Sequence, residues 1–344
     1  MSRSTVFVWV LFVLSLFVAY TIYYPFLLSM VVAVLLAMAT SNLTQRLTDI
    51  FGGRRKISTV VMTALLVMLI LAPILYIATT GVEYMGKLDQ ESLTHILEKA
   101  KKITSEIPYL NKWGDEYLVA AKIVPYFKEI SLYVTKMGSK GIGFVKDIFL
   151  VILFYSVVVY YQDRFFDVLE KMIPAPRSES RKMIEEIAST MEVVFYSIIV
   201  TAVFEGFLFG IFVSYFEFNG LLFGVIYGFA SLIPIVGGAV VWLPLSVYAW
   251  SEMGINIAII IASYSIVVIS ILADTLVKPI IIKMIKEQFL QRPTPINEFV
   301  IFFSIVAGMS TYGFWGMILG PAITTFLFAA TKKYIDYASS GNSC

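Results

Sequence analysis

Two long apolar stretches constrain this chain more than any other feature: Leu221 to Trp250 and Ile296 to Ala330, each interrupted near its middle by glycine and proline. The first break reads Ser231-Leu-Ile-Pro234-Ile-Val-Gly237-Gly238. The second reads Gly308-Met-Ser-Thr-Tyr-Gly313-Phe-Trp-Gly316-Met-Ile-Leu-Gly320-Pro321. Both stretches are apolar enough for lipid, yet proline removes a backbone donor and glycine weakens a helix, leaving polar groups to satisfy at membrane depth. Such breaks persist only where protein or a water-filled cavity covers them, an arrangement that points to transport.

With 59% hydrophobic and 15% charged residues in 344, and a mean hydropathy of +0.83, the chain reads as an all-α, polytopic membrane protein. A net charge of +2 and the lack of any Lys/Arg run interleaved with aromatics give no reason to expect a nucleic-acid partner. The single cysteine, Cys344, allows no intrachain disulfide and no Cys-based metal site. His95 lies in a charged segment without a second histidine, so it reads as part of a solvated helix face, and no metal or cofactor is expected. Serine without a histidine partner cannot form a hydrolase triad, and no Gly-x-x-x-x-Gly-Lys-Ser/Thr loop occurs. Nothing supports an enzyme or an ATP-driven pump.

Apolar runs Thr5 to Tyr24 and Phe26 to Thr40, separated by Pro25, read as a tight helical hairpin. Residues 41 to 56 carry Arg46, Arg54, Arg55 and Lys56 against Asp49, which places that loop, and through the hairpin the N-terminus, in the cytoplasm. A third span, Ile57 to Thr80, leads out to a charged insertion whose apolar residues recur at helical spacing. A fourth span near 147 to 161 returns to a basic loop holding Arg164, Lys171, Arg177, Arg181 and Lys182. The fifth, Val193 to Phe216, runs outward to a turn at Glu217 to Gly220.

The charge rule then decides how the broken stretches lie. A single kinked crossing of Leu221 to Trp250 would leave Lys278, Lys283, Lys286 and Arg292 outside; a hairpin with both ends outside lets Ile255 to Val277 cross inward and returns them to the cytoplasm. By the same argument Ile296 to Ala330 leaves and re-enters the cytoplasmic face, so the C-terminus is cytoplasmic too. Hairpin arms of roughly 13 to 16 residues reach about 20 to 24 Å against a core of about 30 Å, which suits re-entry rather than crossing. About six spans plus two broken re-entrant hairpins result, in an inverted repeat. The expected parts are spans (1–80), an external amphipathic insertion (81–146), a fourth span and loop (147–192), a span with an external hairpin (193–250), a span with a cytoplasmic hairpin (251–333) and a tail (334–344).

Three charged residues stand out at membrane depth. Glu205 lies mid-span in Thr201-Ala-Val-Phe-Glu205-Gly206, where an acidic residue costs roughly 2.5 to 3.5 kcal/mol unless it faces protein or water. It is a candidate for proton exchange or substrate contact, or else a helix-to-helix hydrogen bond. Asp274 and Lys278 are four apart and share a helical face, as an end-neutralising ion pair or as a gate. In the breaks, Pro234, Gly237, Gly238, Gly308, Gly313, Gly316, Gly320 and Pro321 permit close backbone approach and free carbonyls that suit a cation or a hydroxylated solute.

Leu232-Ile-Pro234-Ile-Val-Gly237, Asp274-Thr-Leu-Val-Lys278-Pro279 and Gly313-Phe-Trp-Gly316-Met-Ile-Leu-Gly320-Pro321 resemble, in order and spacing, the autoinducer-2 exporter family. The resemblance implies a multispanning exporter of small molecules in the inner (cytoplasmic) membrane, some members exchanging sodium or lithium for protons. In that family's pattern the slot of Glu205 is often an amide before glycine, so the carboxylate is a departure that favours a proton- or cation-linked member. The expected function is proton- or sodium-coupled export of a small polar solute, with a sodium(lithium)/proton antiporter as the alternative and an oligomeric scaffold or channel-like assembly as the reading of another class. The expected partners are a small-molecule or cation substrate, membrane lipid and further copies of the chain.

Overall fold

The computed structural model describes residues 3–85, 143–173, 176–233, 237–277 and 297–341, with Ile280 and Lys283 besides. Every regular element among them is helical. Six helices are long and apolar enough to cross a membrane: Phe7–Ala39, Arg55–Gly81, Gly143–Tyr160, Arg177–Ser214, Ile255–Ala273 and Phe299–Lys332. The polytopic all-α architecture is therefore present, although its members differ from the expected six at both ends of the chain. Most of the external insertion, together with Pro234, Lys278 and Pro279, lies outside the described residues.

The first difference is at Pro25. Helix α1 (Arg3–Ala39) runs through it unbroken, so the tight hairpin expected there does not form. The reversals at Gly52 and Gly53, Glu217, Gly254 and Gly313 each contain a residue with positive φ, between 61° and 100°. Tyr24-Pro25-Phe26 offers no residue suited to that conformation. A proline within the helix costs one hydrogen bond, about 3 kcal/mol, whereas a reversal in hydrocarbon strips several backbone groups of partners. The ends of α1 consequently lie about 55 Å apart at the helical rise, and the N-terminus loses its basis for sharing a face with residues 41–56.

The described chain forms two compact units. One comprises Met1–Ala64, Gly143–Met191 and Ala307–Cys344. Its interior is built from the C-terminal part of α1 (Val32, Leu36) and from α4 (Gly143–Tyr160), through Ile148, Val151 and Tyr155. The hydroxyls of Thr40 and Tyr155 lie 2.9 Å apart and share a hydrogen bond. Short amphipathic helices α2 (Ser41–Ile50) and α5 (Gln162–Met172) flank the start of α3 (Arg55–Met85) and the end of α4. Arg55 forms an ion pair with Asp163, so the loops expected on the cytoplasmic side do meet on one face.

The second unit comprises Leu65–Ile142 and Glu192–Val306. Helix α6 (Arg177–Ser214) is a single 38-residue element, so the charged segment before the fifth span continues into it without a break. Its membrane half presents Val203, Phe207 and Ile211 outward and Thr201, Glu205 and Phe209 inward, each set repeating every four residues as a helix demands. After the turn at Glu217, Asn219 caps α7 (Gly220–Ala230), its side-chain oxygen accepting from the Leu222 N–H at 3.0 Å. Helix α8 (Ala239–Met253) follows the break, and Gly254 turns the chain into α9 (Ile255–Tyr264). With 11 and 15 residues, α7 and α8 measure about 16 and 22 Å, short of the hydrocarbon thickness. From Ser265 to Val277 the helix widens to π geometry, which the apolar pattern gave no reason to expect.

Candidate functional site

Glycine governs how closely these helices approach. On α6, Gly206 and Gly210 face Gly220, Gly224 and Gly228 of α7, and the contact is backbone on backbone. A Cβ at Gly206 would sit 2.5 Å from the Gly224 carbonyl oxygen, and one at Gly228 would sit 2.6 Å from that of Ala202. Small residues at four-residue spacing allow this approach where lipid supplies no hydrophobic drive between helices. At the end of α7, Gly238 lies against the Tyr227 phenol, which stacks on Phe209 at 4.3 Å between ring centroids. A Cβ at Gly237 would come 3.0 Å from the Ile233 carbonyl oxygen. At the described edges of the break, Ile233 N–H donates to the Ala230 carbonyl and Gly237 N–H to that of Ile233.

Glu205 sits one residue before this contact and is 6% exposed. Above it on the same face are Thr201, also 6% exposed, and Ser197, at intervals of four. Most other hydroxyls in these helices satisfy themselves on their own backbone: Thr190 on Glu186, Ser214 on Gly210, Ser265 on Ile261 and Thr325 on Pro321, at 2.7 to 2.9 Å. Ser197 Oγ and Thr201 Oγ1 do not, nor do Ser189 Oγ of α6 and Ser246 Oγ of α8; they are buried and find no hydrogen-bond partner among the described residues. Leaving such a group unsatisfied costs about 1 to 3 kcal/mol. Helix α9 closes the unit through Tyr264, whose ring stacks on Phe212 at 3.6 Å and whose hydroxyl donates to the Leu208 carbonyl at 3.3 Å.

Asp274 belongs to the π-helical segment, in which Ser270 Oγ donates to the carbonyl of Ser265 five residues back. The four-residue spacing to Lys278 assumes α geometry, and Lys278 lies outside the described residues. Among the described residues no group of three or more His, Cys, Asp or Glu side chains could hold a metal ion.

The second break is in the other unit. Helix α10 (Glu298–Tyr312), the 3-10 turn Gly313–Trp315 and α11 (Gly316–Gly341) follow one another closely enough to read as one long apolar helix. The chain nevertheless doubles back, because Gly308 touches Gly316 backbone to backbone and a Cβ on it would lie 3.0 Å from Gly320 Cα. In a straight helix residues eight apart are separated by about 12 Å. Gly313 makes the turn at φ 61°. Pro321, inside α11, has no N–H to offer the carbonyl of Met317, a residue only 4% exposed. Trp315 is buried against Phe144, and its indole Nε1 has no partner among the described residues.

The pattern described as AI-2E family transporter matches residues 6–336, nearly the whole chain. The chain belongs to the AI-2E transporter family. Two Helicobacter pylori proteins, each named "Putative transport protein", are similar end to end: 31% identical for strain ATCC 700392 / 26695 and 30% for strain J99, over 97% of both chains in each case. A protein of the same name from Aquifex aeolicus is 29% identical over 54% of this chain and 50% of its own length. This AI-2E family member is accordingly a multi-pass membrane transporter, with a small-molecule substrate and lipid around it.

Of the residues singled out in the sequence, this AI-2E transporter brings Glu205 beside the α6–α7 glycine contact, and Gly308, Gly316 and Gly320 into one contact. Gly210, Gly224, Gly228, Ser197 and Thr201 were missed. The glycines carried a readable signal, Gly-x-x-x-Gly on both sides of the Glu217 turn, whereas the hydroxyls carried none, since serine and threonine commonly bond their own helix.

Proposed function

We propose that the chain exports a small polar solute, such as autoinducer-2, across the cytoplasmic membrane, coupled to a proton or sodium gradient through Glu205. One observation carries this reading: the buried Glu205 carboxylate continues a line on the buried face of α6 whose two hydroxyls, Ser197 and Thr201, have no partner among the described residues. Such a line suits a hydroxylated solute or a partly dehydrated cation, and the backbone contact beside it fixes its position. The two broken stretches are proposed as re-entrant hairpins of an inverted repeat, with Pro234, Gly237, Gly238, Gly313 and Pro321 shaping the path and Asp274 and Lys278 as a second charged pair. Loops 41–56 and 162–192 and the C-terminus are assigned to the cytoplasm, and the N-terminus, with α1 unreversed, to the outside. The assembly is proposed to be a homo-oligomer.

A second reading, sodium(lithium)/proton exchange, is favoured by the same carboxylate. Flux of sodium, lithium and labelled autoinducer-2 in proteoliposomes under imposed gradients separates the two. Solute efflux that follows a proton or sodium gradient supports export, and cation exchange alone supports the antiporter. Failure of any gradient to move any of the three would overturn both.

A further inference from the structure

Where α3 begins and α4 ends, the first unit holds a groove of about 790 Å³ lined by Arg54, Arg55, Lys56, Tyr160, Tyr161 and Arg164, together with Ile57 and Asp163. Arg55 is the strut that holds it: the guanidinium pairs with Asp163 and approaches the Val159 carbonyl at the end of α4 at 3.4 Å, so its charge is spent within the protein. Arg54, Lys56 and Arg164 are exposed, and no carboxylate among the described residues lies within ion-pairing distance of them. Three uncompensated cations around one groove repel one another and call for an anion.

The position of the groove identifies the anion. It lies at the ends of two apolar spans, where hydrocarbon gives way to headgroups. Tyr160 and Tyr161, stacked edge to face at 4.7 Å, are residues of that interface. Helices α2 and α5 leave the groove on either side with Ile50, Val168 and Met172 exposed among charged neighbours, as helices lying on a bilayer surface are. We propose that this groove binds the phosphodiester headgroup of an anionic phospholipid in the leaflet that faces residues 41–56. A soluble anion needs the cations alone; the tyrosines and apolar flanks fit a ligand that also carries acyl chains. The site stands apart from the solute path and rests only on the placement of α3 and α4 in a membrane.

The test uses the full chain in phosphatidylcholine vesicles, in the same vesicles with phosphatidylglycerol mixed in, and in phosphatidylcholine with inorganic phosphate added. Phosphatidylglycerol binding is read by lipid titration and by the thermal shift it produces. Each surface cation contributes about fivefold to such binding, so Arg54→Gln, Lys56→Gln, Arg164→Gln together should weaken it roughly 100-fold. A charge-matched control away from the groove and from α5, Arg177→Gln, Lys182→Gln, Lys332→Gln, should bind like wild type. If the triple variant is unstable in phosphatidylcholine, Arg164→Gln alone, with about a fivefold loss, carries the test. Unchanged binding in the groove variants, an equal loss in the control, or reproduction of the shift by inorganic phosphate would each overturn the proposal.

Discussion

Replacing Gly206 by alanine tests whether the α6–α7 contact is as close as the backbone implies. In an unobstructed helix the change stabilises by roughly 0.5 to 1 kcal/mol, since glycine gives up more chain entropy than any other residue on folding. At Gly206 the added Cβ would lie 2.5 Å from the Gly224 carbonyl oxygen and 3.2 Å from Gly228 Cα and N. Ordinary contact begins near 3.4 Å, so the helices must part by about 0.9 Å. Backbone atoms of a second helix form the obstacle, and no side chain can rotate out of the way. Overpacking of this kind costs about 1 to 3 kcal/mol, which matches or outweighs the propensity gain and leaves a net loss of up to about 2.5 kcal/mol.

At roughly 2 to 4 °C per kcal/mol, the expected fall in Tm is up to about 10 °C, measured by thermal unfolding in one detergent. Gly81→Ala is the matched control, because its Cβ would meet only Ile77 Cγ2 at 3.8 Å, and it should hold or raise Tm. Gly224→Ala should resemble Gly206→Ala, since its Cβ would stand 2.7 Å from the Gly206 carbonyl oxygen. The double variant should lose less than the two single losses added together, as one separation relieves both overlaps. A Gly206→Ala protein as stable as the Gly81→Ala control would refute the backbone contact and the reasoning built on it.

Three further outcomes follow from the same geometry. Glu205→Gln keeps the shape and the hydrogen-bonding capacity, so Tm should stay near wild type while gradient-driven flux falls and loses its pH dependence; a wild-type pH profile removes Glu205 from coupling. Thr201→Val removes a buried hydroxyl that has no partner among the described residues, so Tm should rise by the equivalent of about 1 kcal/mol while solute flux drops; unchanged flux shows that solute does not use that hydroxyl. Single cysteines in a Cys344→Ser background should react from outside at Ser4 and Glu252 and from inside at Arg54 and Lys332; labelling of Ser4 from the same face as Arg54 would show that α1 reverses after all.

The charge rule is legible in any sequence because it depends only on the count of Lys and Arg between apolar runs. Arg55 and Asp163 join two of the basic loops, and the chain turns at Glu217, Gly254 and Gly313, where short polar or glycine-containing segments stand between apolar ones. Pro25 misled because proline was taken as a reversal, while at membrane depth an interrupted helix loses fewer backbone hydrogen bonds than a turn does. The π segment at Ser265–Val277 escaped for a different reason: Ile, Val and Leu fill it as they would an α-helix, and only tertiary packing decides the register. The site was half legible. A carboxylate at mid-span announces itself through its desolvation cost, and glycine beside proline announces a break. Which hydroxyls turn away from their own helix depends on side-chain torsions set by neighbours far along the chain, so Ser197 and Thr201 became visible only once Glu205 and the glycine ridge of α6 had been placed on their faces.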